Sequence, residues 1–287
     1  VSLLFDRAYQ LLIIPSSGDG KSISKLRVTF EIVKSVLSFP NLAKISIYNP
    51  NQNTLSLLQN KFTKILFNAG YVGNLKLLFS GEIRNVFQTR ADVDTIVTIY
   101  AGDGEKSWQN STFNKTLSEN ISISNTIKEV AGSFVDLTIG EIAGLPDNAS
   151  KLRGQVLSGS SKDILDNFAK EYGFEWSIQN EEVVITSINK PLLTSQIALI
   201  NAQTGMLGTP TITEIGVDVK TLLNPELLPN RGFTIESSNA NIQIGNLFFR
   251  NVNRRKAEGV YKIQEVTFKG DSRDSQWSSQ IKGRSIT

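Results

Sequence analysis

The chain has 287 residues, 40% apolar and 20% charged, with 30 Lys plus Arg against 27 Asp plus Glu for a net charge of +3. That is room for two or three domains with real cores, an ordinary globular composition, and too little clustered positive charge for specific nucleic-acid binding. It contains no histidine and no cysteine, which excludes Ser–His–Asp triads, thiol nucleophiles, His-ligated zinc, thiolate clusters and disulfides. Asp and Glu retain acid–base and hard-cation chemistry. The balance points to a structural or binding protein, with no cofactor and no metal expected.

The first hundred residues alternate apolar and polar with a period of two, the mark of half-buried strands. Strands are predicted at Tyr9–Pro15, Leu26–Val36, Ala43–Tyr48, Lys64–Ala69, Lys76–Phe79, Glu82–Arg90 and Thr95–Tyr100. In Leu26–Val36 the residues Leu26, Val28, Phe30, Ile32 and Lys34 share one face. Thr54–Asn60 is predicted as a short helix capped by Thr54. Seven strands with short turns fit a closed barrel or a sandwich. Gly18-Asp19-Gly20-Lys21-Ser22 resembles the end of a phosphate-binding loop, but Pro15 stands where that pattern needs Gly and no helix follows. A hairpin turn is the reading. Leu11–Ile14 stops at Pro15, too short for a membrane span or a signal-peptide core.

After Gly102-Asp103-Gly104 the period changes. Ser124-Asn125 is expected to cap a helix over Thr126–Phe134, with Ile127, Val130, Ala131 and Phe134 inward. A Gly-, Pro- and Asn-rich loop covers Gly140–Gly154. A second helix, Ser161–Tyr172, has Ser161 as N-cap and Gly173 as its stop. Phe174–Ile178 and Val183–Ile188 form a hairpin. From Pro191 strands return at Ile197–Asn201, Thr211–Gly216, Gly232–Glu236, Leu247–Phe249 and Gly259–Lys269, with a loop around Arg250–Glu258. Its basic run, Arg250, Arg254, Arg255 and Lys256, reads as solvated. Asn110, Asn114, Asn120 and Asn148 match glycosylation acceptors, taken as chance in an Asn-rich chain. No short repeat is visible.

The expected class is β-rich α+β: a β-barrel domain over 1–107, a small α+β domain over 108–190 and a second β-barrel domain over 191–287. This organisation, with Lys44-Ile45-Ser46-Ile47-Tyr48-Asn49, Ala69-Gly70-Tyr71, Leu78-Phe79-Ser80-Gly81-Glu82-Ile83 and Ala101-Gly102-Asp103-Gly104, resembles the baseplate hub proteins of contractile-tailed bacteriophages and the related type VI secretion spikes. Tyr172-Gly173-Phe174-Glu175-Trp176, the stretch Gln203–Pro210, Val217–Leu223 with Pro225, and Lys269-Gly270-Asp271 followed by Trp277 extend the likeness along the chain. Family members often carry His at the position of Lys269.

The resemblance implies a homotrimer in which each chain gives two similar tube-type barrels, so that six form a pseudo-six-fold ring. Such a ring adapts a hexameric tail tube to a trimeric central spike. The implied partners are the tube and spike proteins, with the tape measure protein and other baseplate components, in a virion tail assembled in the host cytoplasm. No membrane insertion is implied.

Two other classes compete. An enzyme would need carboxylate pairs, and Asp103 with Glu105, Asp163 with Asp166, and Asp271 with Asp274 are the candidates. Turn or polar-face roles explain each of them better, so no catalytic, cofactor or metal residues are assigned. A carbohydrate- or receptor-binding module would use Trp108, Trp176 and Trp277 for stacking, whereas their apolar neighbours argue for core.

Overall fold

Alternation over the first hundred residues becomes seven strands: β1 (Arg7–Ile14), β2 (Lys21–Ile23), β3 (Val28–Ser35), β4 (Leu42–Tyr48), β5 (Lys64–Tyr71), β6 (Asn74–Ala91) and β7 (Asp94–Gly102). The computed structural model describes residues 6–60, 63–146, 150–151, 154–192, 197–237, 239–242 and 259–286. The expected strand Leu247–Phe249, the basic run Arg250–Lys256 and Asn148 lie outside the described residues. Two expected strands, Lys76–Phe79 and Glu82–Arg90, are one strand of 18 residues. Gly81 permits this, because a Cβ there would stand 2.3 Å from the Gly102 carbonyl oxygen.

The phosphate-loop lookalike is the turn of the β1–β2 hairpin, in which Ile13 lies opposite Lys21. Lys21 is spent structurally: its Nζ donates to Asn51 Oδ1 at 2.9 Å and Thr54 Oγ1 at 2.6 Å. Helix α1 (Gln52–Gln59) therefore starts two residues before the expected Thr54, and Asn51 is its cap, accepting from the Thr54 amide. The capping side chain wins because it serves the helix and the hairpin together.

The middle of the chain runs α2 (Glu105–Asn110), β8 (Thr112–Leu117), β9 (Ile121–Ser122), α3 (Ile123–Ala131), β10 (Thr138–Ile142), β11 (Ser150–Lys151), β12 (Gln155–Ser160), α4 (Ser161–Tyr172), β13 (Phe174–Gln179) and β14 (Glu182–Ser187). Helix α3 is capped by Ser122 rather than by Ser124-Asn125. Ser160 is the N-cap residue of α4, and Ser161 is its buried first residue. Gly173 closes α4 in the left-handed conformation, φ 72°, as a C-terminal glycine should. The two helices and the β13–β14 hairpin enclose a core of Ile127, Val130, Phe134, Leu165, Phe168 and Trp176.

The last third contributes β15 (Ala198–Ile200), β16 (Met206–Ile212), β17 (Gly216–Leu222), β18 (Gly232–Ile235), β19 (Asn241–Ile242), β20 (Gly259–Asp271) and β21 (Trp277–Ser285). Strand β21 escapes sequence reading because Ser and Gln occupy much of it. Its inward positions are Trp277, Ser279, Ile281 and Gly283, all buried. Gly283 must be small, since a Cβ there would meet the Phe233 ring at 2.5 Å.

Strands from the two ends of the chain do not stay apart. Fourteen join one sheet, whose path runs β19-β16-β17-β21-β20-β3-β4-β7-β6-β5-β1-β2, with β18 on β20 and β15 on β18. Among the described residues this path does not close on itself. Its centre is the antiparallel β3–β20 joint, in which Thr29 to Ser35 lie opposite Asp271 to Glu265.

Either side of that joint the topology repeats. The orders β3-β4-β7-β6-β5 and β16-β17-β21-β20-β18 have the same chain order and the same antiparallel pairings. Each central hairpin also carries a register shift at the matching place, Ile83/Asn85 in one and Ile263/Glu265 in the other. One core spans both halves, with Phe67 4.7 Å from Phe30 and Phe30 5.2 Å from Trp277, centroid to centroid.

Candidate functional site

The functional elements of this chain are surfaces and the joints that hold them, and the joints are built from buried charge. Asn180 and Glu181 turn the β13–β14 hairpin with φ of 54° and 68°, a geometry that favours Gly or Asn and is costly for Glu. Asp103, fully buried at the end of β7, holds this turn: Oδ2 accepts from the Asn180 amide and Oδ1 from the Glu181 amide, both at 2.6 Å. Asn41 Nδ2 donates to Asp103 Oδ2 at 3.3 Å and to the Ile178 carbonyl at 2.6 Å. Lys34, placed inward by the alternation of β3, donates to Asn180 Oδ1. The Glu181 carboxylate is held by Lys64 at 2.6 Å and by Ser80 at 2.9 Å.

Burial pulls the Lys34 ammonium down to about 8, and the nearby Asp103 resists that fall. Burial likewise pushes the Asp103 carboxyl up, against Lys34, the two turn amides and Asn41. Each charge is tolerable only because the other is present.

The base of the same hairpin is fixed to the other half of the sheet. The buried Lys262 of β20 donates to Glu175 at 2.8 Å, Thr186 Oγ1 at 3.0 Å and the Ser187 carbonyl at 2.7 Å. Thr186 in turn donates to Asn230 Oδ1 at 2.8 Å. One hairpin of the middle unit is thus bolted across both repeats. Lys34 and Lys262 are invisible as clamp residues in sequence, except that Lys34 keeps the inward phase of an apolar strand; Lys262 lies between the core residues Tyr261 and Ile263 and faces the middle unit instead.

The carboxylate pairs proposed from sequence are separated by their partners. Asp103 is taken up by the turn, while Glu105 pairs with Arg84. Asp163 is exposed, whereas Asp166 accepts from Trp176 Nε1 at 2.7 Å. Asp271 binds Arg27 at 2.7 Å and the Arg273 amide at 2.9 Å, while Asp274 Oδ1 accepts from the Ser275 amide at 2.6 Å. No cluster of three or more Asp or Glu with metal-binding geometry occurs among the described residues.

Burial alone would raise the Asp271 carboxyl, but Arg27 and the Arg273 amide outweigh it and hold it below its usual 3.8. The unfolded chain therefore binds more protons than the folded one as pH falls below that value, and stability is lost there. Asp271→Asn should lower the urea midpoint at neutral pH, and the two proteins should converge as pH drops well below 3.8. A gap that persists unchanged in acid would show that this ion pair does not stabilise the fold.

Two of the three tryptophans are unavailable for stacking on a ligand. Trp176 and Trp277 are each only 3% exposed. Trp108 is half-buried, bonded to the Ser38 carbonyl at 2.6 Å and covered by Phe39 and by the Lys162 ammonium, 3.5 Å from its ring.

The outer face of the continuous sheet mixes ion pairs with exposed apolar side chains such as Leu42, Phe87 and Tyr100. Lys269 pairs with Glu31 at 2.8 Å across the central joint, and Lys282 with Glu265 at 2.7 Å. Asp218 lies opposite Lys282 in register. Exposed pairs of this kind add little stability. No helix among the described residues is long and apolar enough to cross a membrane.

Solved structures that share this fold are phage-tail and secretion-system proteins. The chain superposes on the 43 kDa tail protein of prophage MuSo2 from Shewanella oneidensis with a TM-score of 0.61 at 8% identity, covering 96% of this chain and 97% of that one. The tail protein from Neisseria meningitidis MC58 gives 0.60 at 8% identity, covering 96% of each chain. An E. coli component of the type VI secretion system, itself similar to T4 tail proteins gp27 and gp5, gives 0.58 at 12% identity, covering 91% of this chain and 74% of that one. The chain belongs to the baseplate hub gp41 family, whose model matches residues 19–282. No curated protein matches its sequence. Its role is a structural one in the tail baseplate, as a component of the virion, and the family points away from enzymatic activity.

Proposed function

We propose that this chain is the hub of a contractile tail, a homotrimer that adapts a hexameric tail tube to a trimeric central spike. The observation that carries the reading is the repeated five-strand order within one sheet. Three chains with two repeats each supply six similar units around one axis, so a six-fold partner and a three-fold partner can share it. The repeats belong to tube-type barrel domains over 1–107 and 191–287, with the α+β domain over 108–190 bolted between them. Barrel closure is then a property of the ring.

In that ring the outer face of the sheet, with its Lys269–Glu31 and Lys282–Glu265 pairs, lines the lumen. Tube protein, spike protein, tape measure protein and neighbouring baseplate components are the partners, met during assembly in the host cytoplasm. The relationship of related spike proteins to tail proteins supports this choice of partners. The α+β domain faces outward as a structural spacer, with no catalytic step assigned to it.

Light scattering on the purified chain tests the reading. A mass near three times 31.7 kDa is expected. A chain that stays monomeric, alone and with tube and spike proteins, would overturn it.

A further inference from the structure

The internal joint between the repeats predicts the joint between copies. Strand β20 changes partner along its length: Gly259 to Lys262 pair with β18, and Glu265 to Asp271 pair with β3. Its counterpart β6 does only the first half of this. Lys64 to Tyr71 of β5 cover β6 as far as Glu82, the Ile83 amide donates to the Thr63 carbonyl at 2.9 Å, and beyond these residues the described ladder continues on the β7 side alone. Among the described residues, Asn85 to Ala91 thus keep one edge of backbone donors and acceptors unpaired. These residues are exposed apart from the half-buried Val86. An open edge of this length invites strand addition.

The strand that should fill it is the counterpart of β3, which is β16. Register identifies the matching residues. Asn85 lies opposite Tyr100, Tyr100 opposite Lys44, and Lys44 opposite Glu31. In the other repeat Glu265 lies opposite Lys282, Lys282 opposite Asp218, and Asp218 opposite Thr211. Glu31 therefore corresponds to Thr211, and Asn85 to Glu265. Four residues along, Thr89 corresponds to Lys269, and Lys269 lies opposite Glu31.

We propose that Gln88–Ala91 of one copy pairs antiparallel with Thr209–Ile212 of β16 of the next, placing Thr89 opposite Thr211. The joint between copies then repeats the β3–β20 joint within each copy, and a second copy of this chain is the occupant of the open edge. Among the described residues of the single chain, β19 pairs with the far edge of β16 at Thr211 and Ile212. That two-residue bridge is the end of the sheet and gives way to the longer ladder.

The pairing rests on the trimeric reading above. The natural chain has no cysteine, so a Thr89→Cys/Thr211→Cys double variant reports the contact without background. On mild oxidation it is expected to give disulfide-linked dimers and trimers on a non-reducing gel, in excess of either single variant. A trimer by light scattering that forms no such links would overturn the pairing and leave the hub reading standing. A monomer at every concentration would overturn both.

A second variant guards against local misfolding. In β20 the Asp271 amide donates across its own hairpin to Gln276, whereas the Ser272 amide donates to Val28 at the start of β3. Alternation then turns the Phe268 amide toward β3, and Gln88 is its counterpart on the open edge. Gln88→Pro removes an edge donor without breaking the β6–β7 ladder. It should weaken trimerisation about tenfold or more, the loss expected for a ladder bond and its neighbours, with an unchanged circular dichroism spectrum. Wild-type trimer affinity in this variant would count against the pairing.

Discussion

Asp103→Ala is expected to destabilise the protein by about 3 to 5 kcal/mol, the range for removing one partner of a buried charge pair. The variant leaves the buried Lys34 ammonium with Asn180 Oδ1 as its remaining bonded partner, and it strips the acceptor from the amides of Asn180 and Glu181. Those amides belong to a turn whose second residue, Glu181, stands at φ 68°. The turn conformation is itself costly for a residue with a Cβ, so losing its tether should also loosen the hairpin. Urea unfolding measures the first effect. Faster amide exchange at residues 179–182 measures the second.

The companion variant Lys34→Met/Asp103→Ala separates charge from geometry. If the uncompensated ammonium dominates, the double variant should recover a large part of the loss, because both charges leave together. No recovery would mean that the orphaned turn amides carry the effect. A cost below about 1 kcal/mol for Asp103→Ala would refute the clamp altogether.

Trp277→Ala should cost about as much, roughly 3 to 5 kcal/mol, by a different mechanism. Trp277 begins β21 in one repeat, yet its ring packs edge-on against Phe30 and its Nε1 donates to the Gly70 carbonyl at 3.1 Å in the other. Gly270 lies directly beneath the ring, since a Cβ there would come within 2.6 Å of it. Truncation opens a cavity where the repeats share their core. Trp277→Phe keeps most of the packing and loses the hydrogen bond, so its cost should be nearer 1 kcal/mol. Equal, small losses for both variants would show that the repeats are packed independently.

Much of the first half was legible because burial on one face imposes a two-residue period. Strands β1, β3, β4 and β7 fall where alternation placed them, and even the inward phase of Lys34 followed from it. Helix α4 was legible from its apolar stripe and its terminal glycine. The caps were read less well: Asn51 and Ser122, rather than Thr54 and Ser124-Asn125, start their helices, because a cap is chosen by the contacts its side chain also makes. Strand β21 was hidden by Ser and Gln on a pairing-rich strand, and the duplication was expected from the resemblance alone, since no short repeat is visible in the sequence.

By itself the sequence determined that this chain builds strands around a two-helix unit without histidine or cysteine chemistry, because period and composition are local properties. It also carried the resemblance to tail hubs, through short strings spread in order along the chain. Only the tertiary structure decided that both ends enter one sheet, that Asp103 and Lys262 are bolts rather than surface charges, and that β6 ends in an open edge. Those facts depend on which distant segments pair, with Thr29 meeting Asp271 across more than two hundred residues. A backbone edge is the same for every side chain, so no sequence pattern reports which partner it meets.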